Sequence, residues 1–353
     1  MAGKTTSPSL VRIQLNRRHT WGVTGSLALV LLVTAFLSLL LGRYSISLSE
    51  LLSALWRGMV GGEQANHTAE TVLFNVRLPR IIVAIFVGAA LAASGAAYQG
   101  IFKNPMVSPE LLGASAGASF GVALGIMFGF SMIGIQLAAF ATGMVAVGIT
   151  VAISARLARD QDSILVMVLS GIVVGSIFMS FVTLIKSVAD PYSKLPAITF
   201  WLMGSLSGVT SADVKLLLLP MAIGVVPLFL LRWRMNVLSL GDEEALALGI
   251  HTGRLRLVVV ASSTLMIAAS VSVSGVVGWV GLVIPHFARL LVGPDYRVLM
   301  PASLLIGGTY LLPVDDFARS VSSTEIPLGV LTSLIGAPFF VYLLARVKKG
   351  WWA

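Results

Sequence analysis

Cysteine is absent from the chain, and charged residues make up only 11% of it. Without cysteine the protein has no disulfide, no thiolate nucleophile and no cysteine-ligated metal. Charged residues supply about 25% of an ordinary soluble domain. Because 57% of the 353 residues are hydrophobic, the chain cannot cover a surface that faces water, and the lipid bilayer must be its solvent.

Ionisable residues are also scarce near the centres of the apolar stretches. Proton-coupled carriers place titratable groups at that depth, so a proton-driven carrier is disfavoured, whereas sodium coupling through carbonyl and hydroxyl oxygens stays open. No His-Glu-x-x-His pattern and no serine in a nucleophile-elbow context occurs. Gly3-Lys4-Thr5 lacks the upstream glycine of a phosphate-binding loop. We therefore expect no catalytic residue, no metal, no cofactor and no ATP site of its own.

Hydropathy predicts an all-α polytopic membrane protein with ten spans. The first apolar run, from Trp21 to Leu41, is too long for a signal peptide and is interpreted as a retained helix. Nine or eleven spans stay open, because the gaps near 130–132 and 272–275 are short. The predicted spans are 21–42, 80–102, 111–130, 132–156, 163–187, 212–232, 255–274, 276–292, 297–314 and 327–346.

The basic residues lie near segment ends, which suits membrane orientation and disfavours nucleic acid as a partner. With the N-terminus inside, sixteen of the 24 lysines and arginines fall on inner segments and eight on outer ones. This bias predicts that both termini are cytoplasmic. Residues 1–20 then form a basic cytoplasmic tail, 21–346 a single transmembrane domain, and 347–353 a short cytoplasmic tail.

Glycine recurs every fourth residue in the third span, at positions 113, 117, 121, 125 and 129. This spacing places the glycines on one helix face, where a neighbouring backbone can approach closely. Tight packing within one subunit is the favoured interpretation, and a pore-lining or dimer-forming role is the alternative.

An acidic segment, GDEEALALGIHTGRLRL, interrupts the apolar chain after Leu240. Three acids at 242–244 suit the first turn of a helix, and Gly249 suits a left-handed stop. His251 and Thr252 would then begin a second short helix, so that two short helices at about 240–253 lie on the cytoplasmic face. An exposed patch of Ala245, Leu246 and Leu248 predicts a docking site for a soluble partner; the alternative is a solvated, well-capped loop.

Several long motifs resemble those of the FecCD-type permeases, the membrane subunits of binding-protein-dependent ABC importers for iron chelates, haem and cobalamin. The similarity extends from Gly42 to Arg346. Besides GDEEALALGI, the motifs are RLPRIIVAIFVGAALAASGAAYQGIFKNPMVSPELLGASAGA from Arg77, SGVVGWVGLVIPHFARLLVGPDYR from Ser274, DDFAR from Asp315 and EIPLGVLTSLIGAPFFVYLL from Glu325.

The resemblance implies ten helices per subunit and an inverted repeat that relates spans two to five to spans seven to ten. It implies a homodimer around a central pathway lined by the fifth and tenth spans, with two ABC ATPase subunits below. A periplasmic or lipid-anchored substrate-binding protein would dock from outside. The location would be the bacterial inner membrane, and the chain would be a translocase subunit rather than an enzyme.

Three groups of residues take roles from this resemblance. The ATPase-coupling group would be the helix that contains Asp242, Glu243, Glu244, Ala245, Leu248 and Gly249. Exposed guanidiniums of Arg77, Arg80 and Arg319 would dock the binding protein, with interfacial anchoring or pairing to Asp315, Asp316 and Glu325 as the alternative. Asn104 and Met106, in KNPMVSP, would form the cytoplasmic gate, with a simple tight turn as the alternative.

The cargo implied is a metal chelate, of the iron-siderophore, haem or cobalamin class. Trp279 replaces a frequent phenylalanine and Asp315-Asp316 is a double acid where one is usual. These departures leave open an oxyanion cargo such as molybdate, which a branch of the family is thought to handle. A secondary transporter or channel is the alternative from another class, and an intramembrane enzyme is more distant.

Overall fold

The computed structural model describes residues 17–60, 67–157, 163–322 and 324–347, and these ranges contain helices and connections but no strand. Most of the predicted N-terminal tail and of the C-terminal tail lies outside the described residues. The helices are α1 Arg17–Leu40, α2 Leu48–Val60, α3 His67–Thr71, α4 Leu78–Ile101, α5 Ala114–Met127, α6 Met132–Leu157, α7 Ser163–Val188, α8 Lys194–Leu202, α9 Ser211–Leu238, α10 Asp242–Ala247, α11 Thr252–Ser274, α12 Val280–Val292, α13 Tyr296–Ser320 and α14 Leu328–Val347.

Ten of these helices are apolar and coincide one by one with the ten predicted spans. Seven are long enough to cross a membrane by length and composition, α5 and α12 are shorter, and α14 is apolar over Leu328–Tyr342. The two uncertain gaps are true helix breaks, because α5 ends at Met127 before α6 begins at Met132, and α11 ends at Ser274 before α12 begins at Val280. The all-helical, ten-span prediction is confirmed.

Helix α4, the second of the ten apolar helices, lies at the centre of the bundle. Helix α4 packs against α9, α11, α12 and α13, and a π-helical segment, Val72–Arg77, leads directly into it. Its glycines allow this crowding: a Cβ atom at Gly88 would clash with the carbonyl oxygen of Gly307, and one at Gly95 with that of Gly281. By contrast, α1 leaves most of its apolar side chains on the surface, as a lipid-facing helix does.

The glycine stripe of the third span packs within the subunit, as favoured from the sequence. A Cβ atom at Gly117 would lie 2.6 Å from both the Cβ of Ala146 and the carbonyl oxygen of Thr142. Gly121 and Gly125 meet the same helix, α6. The stripe is shorter than predicted, because Gly113 has a φ of 85° and precedes α5, while Gly129 has a φ of 68° and follows it.

Helices α5 and α12 are only 14 and 13 residues long. At 1.5 Å per residue each spans about 20 Å, which is less than the hydrocarbon core of about 30 Å. Chain that is not α-helical therefore precedes each of them inside the bundle, where protein rather than lipid must surround it. The two breaks meet, because a Cβ atom at Gly281 would lie 2.6 Å from Cδ of Pro109. These helices are the third and eighth spans, which the implied repeat relates to each other.

Candidate functional site

The acidic segment forms one short helix, α10, at the end of the bundle where α9 finishes and α11 starts. Gly241 precedes it, and the three acids occupy its first turn, where carboxylates meet the positive end of the helix dipole. Gly249, with a φ of 77°, follows the last turn. The predicted acidic start and left-handed stop are both present.

The exposed apolar surface of this segment includes Leu246 and Leu248, which are 54% and 62% exposed, and Ala247 between them. The prediction that Ala245 belongs to it is wrong, since Ala245 is fully buried in the main hydrophobic core. Helix α10 contacts α9 and α11, and its small residue faces them. Two leucines therefore project from a helix whose opposite side is fixed to the bundle.

The predicted second short helix does not exist as a separate element. His251 is the N-cap of α11, and Thr252 is already the first residue of that 23-residue helix. The segment 240–253 thus contains one short helix followed by the first turn of a long one. The run of apolar residues from Leu255 onward allows α11 to continue into the core without a break.

Asp242 is joined to two other parts of the chain. Its carboxylate accepts a hydrogen bond of 3.0 Å from Nζ of Lys103 and lies 2.8 Å from a guanidinium nitrogen of Arg256. Partial burial raises the pKa of Asp242, but the hydrogen bond from Lys103 and the charge of Arg256 outweigh it, and the pKa is lowered overall. The carboxylate is therefore held ionised between two cations.

Lys103 belongs to the connection between α4 and α5, directly before Asn104. It has a φ of 49°, in the left-handed region. Oδ1 of Asn104 accepts a hydrogen bond of 2.9 Å from the backbone N–H of Met106. The geometry is that of the tight turn considered as the alternative, and the gating role of these two residues stays a prediction.

The three arginines expected on the outer surface are buried. Arg77, Arg80 and Arg319 are 2%, 5% and 7% exposed, so the prediction of exposed guanidiniums is wrong. Arg80 is paired with Asp315 and Glu325 at 2.8 Å each. Arg319 is paired with Asp316 and donates to the carbonyl of Ser38 at 2.9 Å. Pairing with the acidic residues, the alternative considered from the sequence, is confirmed for both.

Arg77 has a different set of partners. Its guanidinium donates to the backbone carbonyls of Leu39 and Tyr44, at and just beyond the end of α1. Terminal carbonyls lack intrahelical partners and carry the negative end of the dipole, so they hold a cation well. Together the three arginines join α1, α4 and α13 at the end of the bundle opposite α10.

Glu110 and Trp279 lie in a groove that sequence reasoning missed. They line an open groove of about 590 Å³ with α14 residues Val330, Ser333 and Leu334. Trp279 has a φ of 70° and packs edge-on against Phe340, at 6.1 Å between ring centroids. The available signal was the acid itself, placed one residue before a predicted apolar span.

A family model for the FecCD transport family matches residues 30–346. The chain belongs to the FecCD transport family. It is 41% identical over 324 residues to the molybdate import system permease MolB of Haemophilus influenzae, covering 92% of this chain and 95% of that one. It is 36% identical over 335 residues to the hemin transport system permease HmuU of Yersinia pestis, covering 92% and 96%.

The fold of this FecCD-family chain is similar to that of a solved transporter. The TM-score is 0.83, with 39% identity, to a structure assigned to the metal-chelate type of ABC transporter in an inward-facing conformation; it covers 92% of this chain and 99% of that one. The protein is thus a multi-pass ABC-transporter permease. The names of its relatives refer to both an oxyanion, molybdate, and a metal chelate, hemin.

Proposed function

We propose that two copies of this chain form the membrane pathway of a bacterial importer that two ABC ATPase subunits drive. The observation that carries this proposal is α10. Its leucines, Leu246 and Leu248, project from the bundle, while Ala245 and Asp242 fix the helix to α9, α11 and the α4–α5 connection. A soluble partner can bind a rigid element that exposes apolar side chains with acids beside them.

Movement of α10 would be transmitted through two kinds of contact. Backbone N–H of Ile250 donates to the carbonyl of Ala245 at 2.9 Å, which ties α10 to the start of α11. Lys103 ties it to the turn that holds Asn104 and Met106. A push on α10 therefore acts on the predicted gate and on a long membrane helix together, with the other end of the bundle held by the arginine cluster.

The outer end of the bundle is the proposed docking face for a substrate-binding protein, whether periplasmic or lipid-anchored. Because Arg77, Arg80 and Arg319 are buried, their role in docking would be to hold the outer rim in shape. Glu325, with a fifth of its side chain exposed, is the member of the cluster nearest to solvent. On this proposal the inner membrane holds the protein with both termini in the cytoplasm.

For the cargo we propose a metal chelate, with an oxyanion as the second candidate because MolB is a molybdate permease. The solved neighbour is of the metal-chelate type, and HmuU is a hemin permease. Specificity in such a system would lie largely in the binding protein. The cargo of the binding protein that copurifies with this chain distinguishes the two candidates.

The decisive experiment is uptake by vesicles that contain the purified permease. With its ATPase subunits, ATP and the loaded binding protein, uptake should occur, and it should stop when the ATPase subunits are left out. A secondary transporter or channel would continue to move cargo without them. Uptake that persists in their absence contradicts the proposal.

A further inference from the structure

Glu110 is the focus of this inference, which rests on the proposed function. It lies in a short 3₁₀ helix, Pro109–Leu112, between α4 and α5. Its backbone N–H donates a hydrogen bond of 3.2 Å to Oγ of Ser108. Among the residues that the structure describes, its carboxylate has no hydrogen bond and no ion pair, although the side chain is accessible from the groove.

The groove around this carboxylate is otherwise largely apolar. Leu202, Met203, Val276 and Trp279 line it, along with residues of α14. A Cβ atom at Gly278 would lie 3.5 Å from Oε1 of Glu110, so the second helix break comes directly against the carboxylate. Apolar walls weaken dielectric screening, and a single charge between them therefore acts over a longer distance than it does in water.

The backbone holds Glu110 firmly at this place. Pro109 fixes one residue and packs against Gly281, while Gly113 ends the short helix in a left-handed conformation with its N–H donating to the carbonyl of Glu110 at 3.0 Å. Its side chain is exposed to the groove, so the carboxylate can meet a solute there directly. Filling space in the groove does not require a carboxylate, since glutamine or leucine would pack as well.

We infer that Glu110 gives the groove a preference for positively charged or hydrogen-bond-donating solutes and makes it repel oxyanions. As a specificity-determining residue it would assist a chelate that presents cationic or donor groups and oppose a free dianion. It also gives the pathway a discriminating element that does not depend on the binding protein.

The absence of cysteine from the chain permits a direct test. Ser333→Cys places one thiol in the groove, and Tyr192→Cys places one on a surface loop, where the native side chain is 93% exposed. Each full-length variant in lipid nanodiscs is reacted with a cationic and an anionic thiosulfonate of equal size. The buffer is held at about pH 8, close to the ordinary cysteine pKa of about 8.5, so that both thiols react.

At the groove thiol we expect the cationic reagent to react about tenfold faster, relative to the anionic one, than at the surface thiol. Glu110→Gln should remove most of this difference, Glu110→Asp should retain it, and neither should change the ratio at the surface thiol. An unchanged ratio in Glu110→Gln overturns the inference, and so does a groove thiol that neither reagent reaches.

Uptake provides the second arm, with the reconstituted importer and either ferric hydroxamate or molybdate as the probe. Glu110→Gln should lower chelate uptake several-fold and leave molybdate uptake equal or higher. A Glu110→Gln variant that loses molybdate uptake and keeps chelate uptake overturns the inference. Labelling needs neither ATPase nor cargo, so failure of the proposed function would show as no ATP-dependent uptake by the unmodified protein, while the labelling ratio would remain informative.

Discussion

Nζ of Lys103 donates a 3.0 Å hydrogen bond to Asp242 across 139 residues of sequence. The first residue precedes the predicted gate turn, and the second begins α10. Arg256, at the start of α11, lies on the other side of the same carboxylate. The pair therefore joins the element proposed to receive the ATPase movement to the element proposed to open or close the pathway.

Reversing one charge of this pair should uncouple ATP hydrolysis from transport. Lys103→Glu would place two carboxylates together, and at these partly exposed positions the loss of attraction is on the order of 1 kcal/mol. We expect several-fold fewer cargo molecules per ATP, with ATPase assembly retained. The double variant Lys103→Glu, Asp242→Lys should recover part of the ratio. Glu243→Lys, on the neighbouring acid, is the control, and an equal loss there would contradict a specific pair.

Coupling through α10 requires its exposed leucines. Leu248→Asp should prevent binding of the ATPase subunits, because it puts a charge into an apolar contact. Copurification of the tagged permease with the ATPase measures the effect. Leu240→Asp, at an exposed position before the helix, is the matched control. Full assembly and transport by Leu248→Asp would remove the basis of the proposed function.

The buried ion pairs at the opposite end should matter for stability. Arg80→Met would leave Asp315 without its nearest cation and should cost about 3–5 kcal/mol, lowering the melting temperature in detergent by several degrees. Asp315→Asn in addition should restore part of the loss. Arg297→Met, which breaks an exposed pair with Asp295, should cost about 1 kcal/mol or less. Similar losses in both variants would show that burial does not set the cost.

Close helix packing around α4 makes a further prediction. Gly95→Ala would force a methyl group against the backbone of Gly281 and should destabilise the protein by about 1–3 kcal/mol. Gly148→Ala, in α6, meets open space and should be neutral or stabilising by up to about 1 kcal/mol, because alanine is the better helix former. Thermal unfolding of the two variants gives the comparison, and equal stability would contradict the packing seen here.

The pKa of Asp242 sets a direction for pH dependence. Since it is lowered in the folded protein, the stabilisation from its ion pairs is fully present above the ordinary aspartate pKa of about 3.9 and is lost as pH falls through the lower folded value. The difference in melting temperature between the native protein and Asp242→Asn should therefore be constant near neutral pH. It should shrink only in strong acid, and a change near pH 7 would be inconsistent with this pair.

The helices were predictable from the sequence because hydropathy and length decide them locally. A helix-ending residue such as Gly249 also acts within one turn of the chain. Its left-handed φ was predictable from the residue type. The burial of Arg80 was not predictable in the same way, because its partners lie 235 and 245 residues away. Composition showed that acids were available, but only the tertiary fold shows which of them reach the guanidinium.

The groove that contains Glu110 was not predicted for the same reason, because it forms only in the tertiary fold. Glu110 stood beside an apolar span and resembled a loop acid, since hydropathy does not reveal that α5 starts late and that the preceding chain turns back into the bundle. The second break, at 275–279, is likewise hidden within an apolar run. A helix that spans only part of the membrane thickness is recognisable only in the tertiary structure, where neighbouring chain is seen to fill the rest of that thickness.

Contact between Pro109 and Gly281 links the two breaks, which belong to different halves of the sequence. Because α5 and α12 are interlocked there, neither can slide without the other. A single copy of the chain should therefore move as one rigid body under an applied force. On the proposed two-copy arrangement, a passage for bulky cargo would then widen between the two copies rather than within either of them.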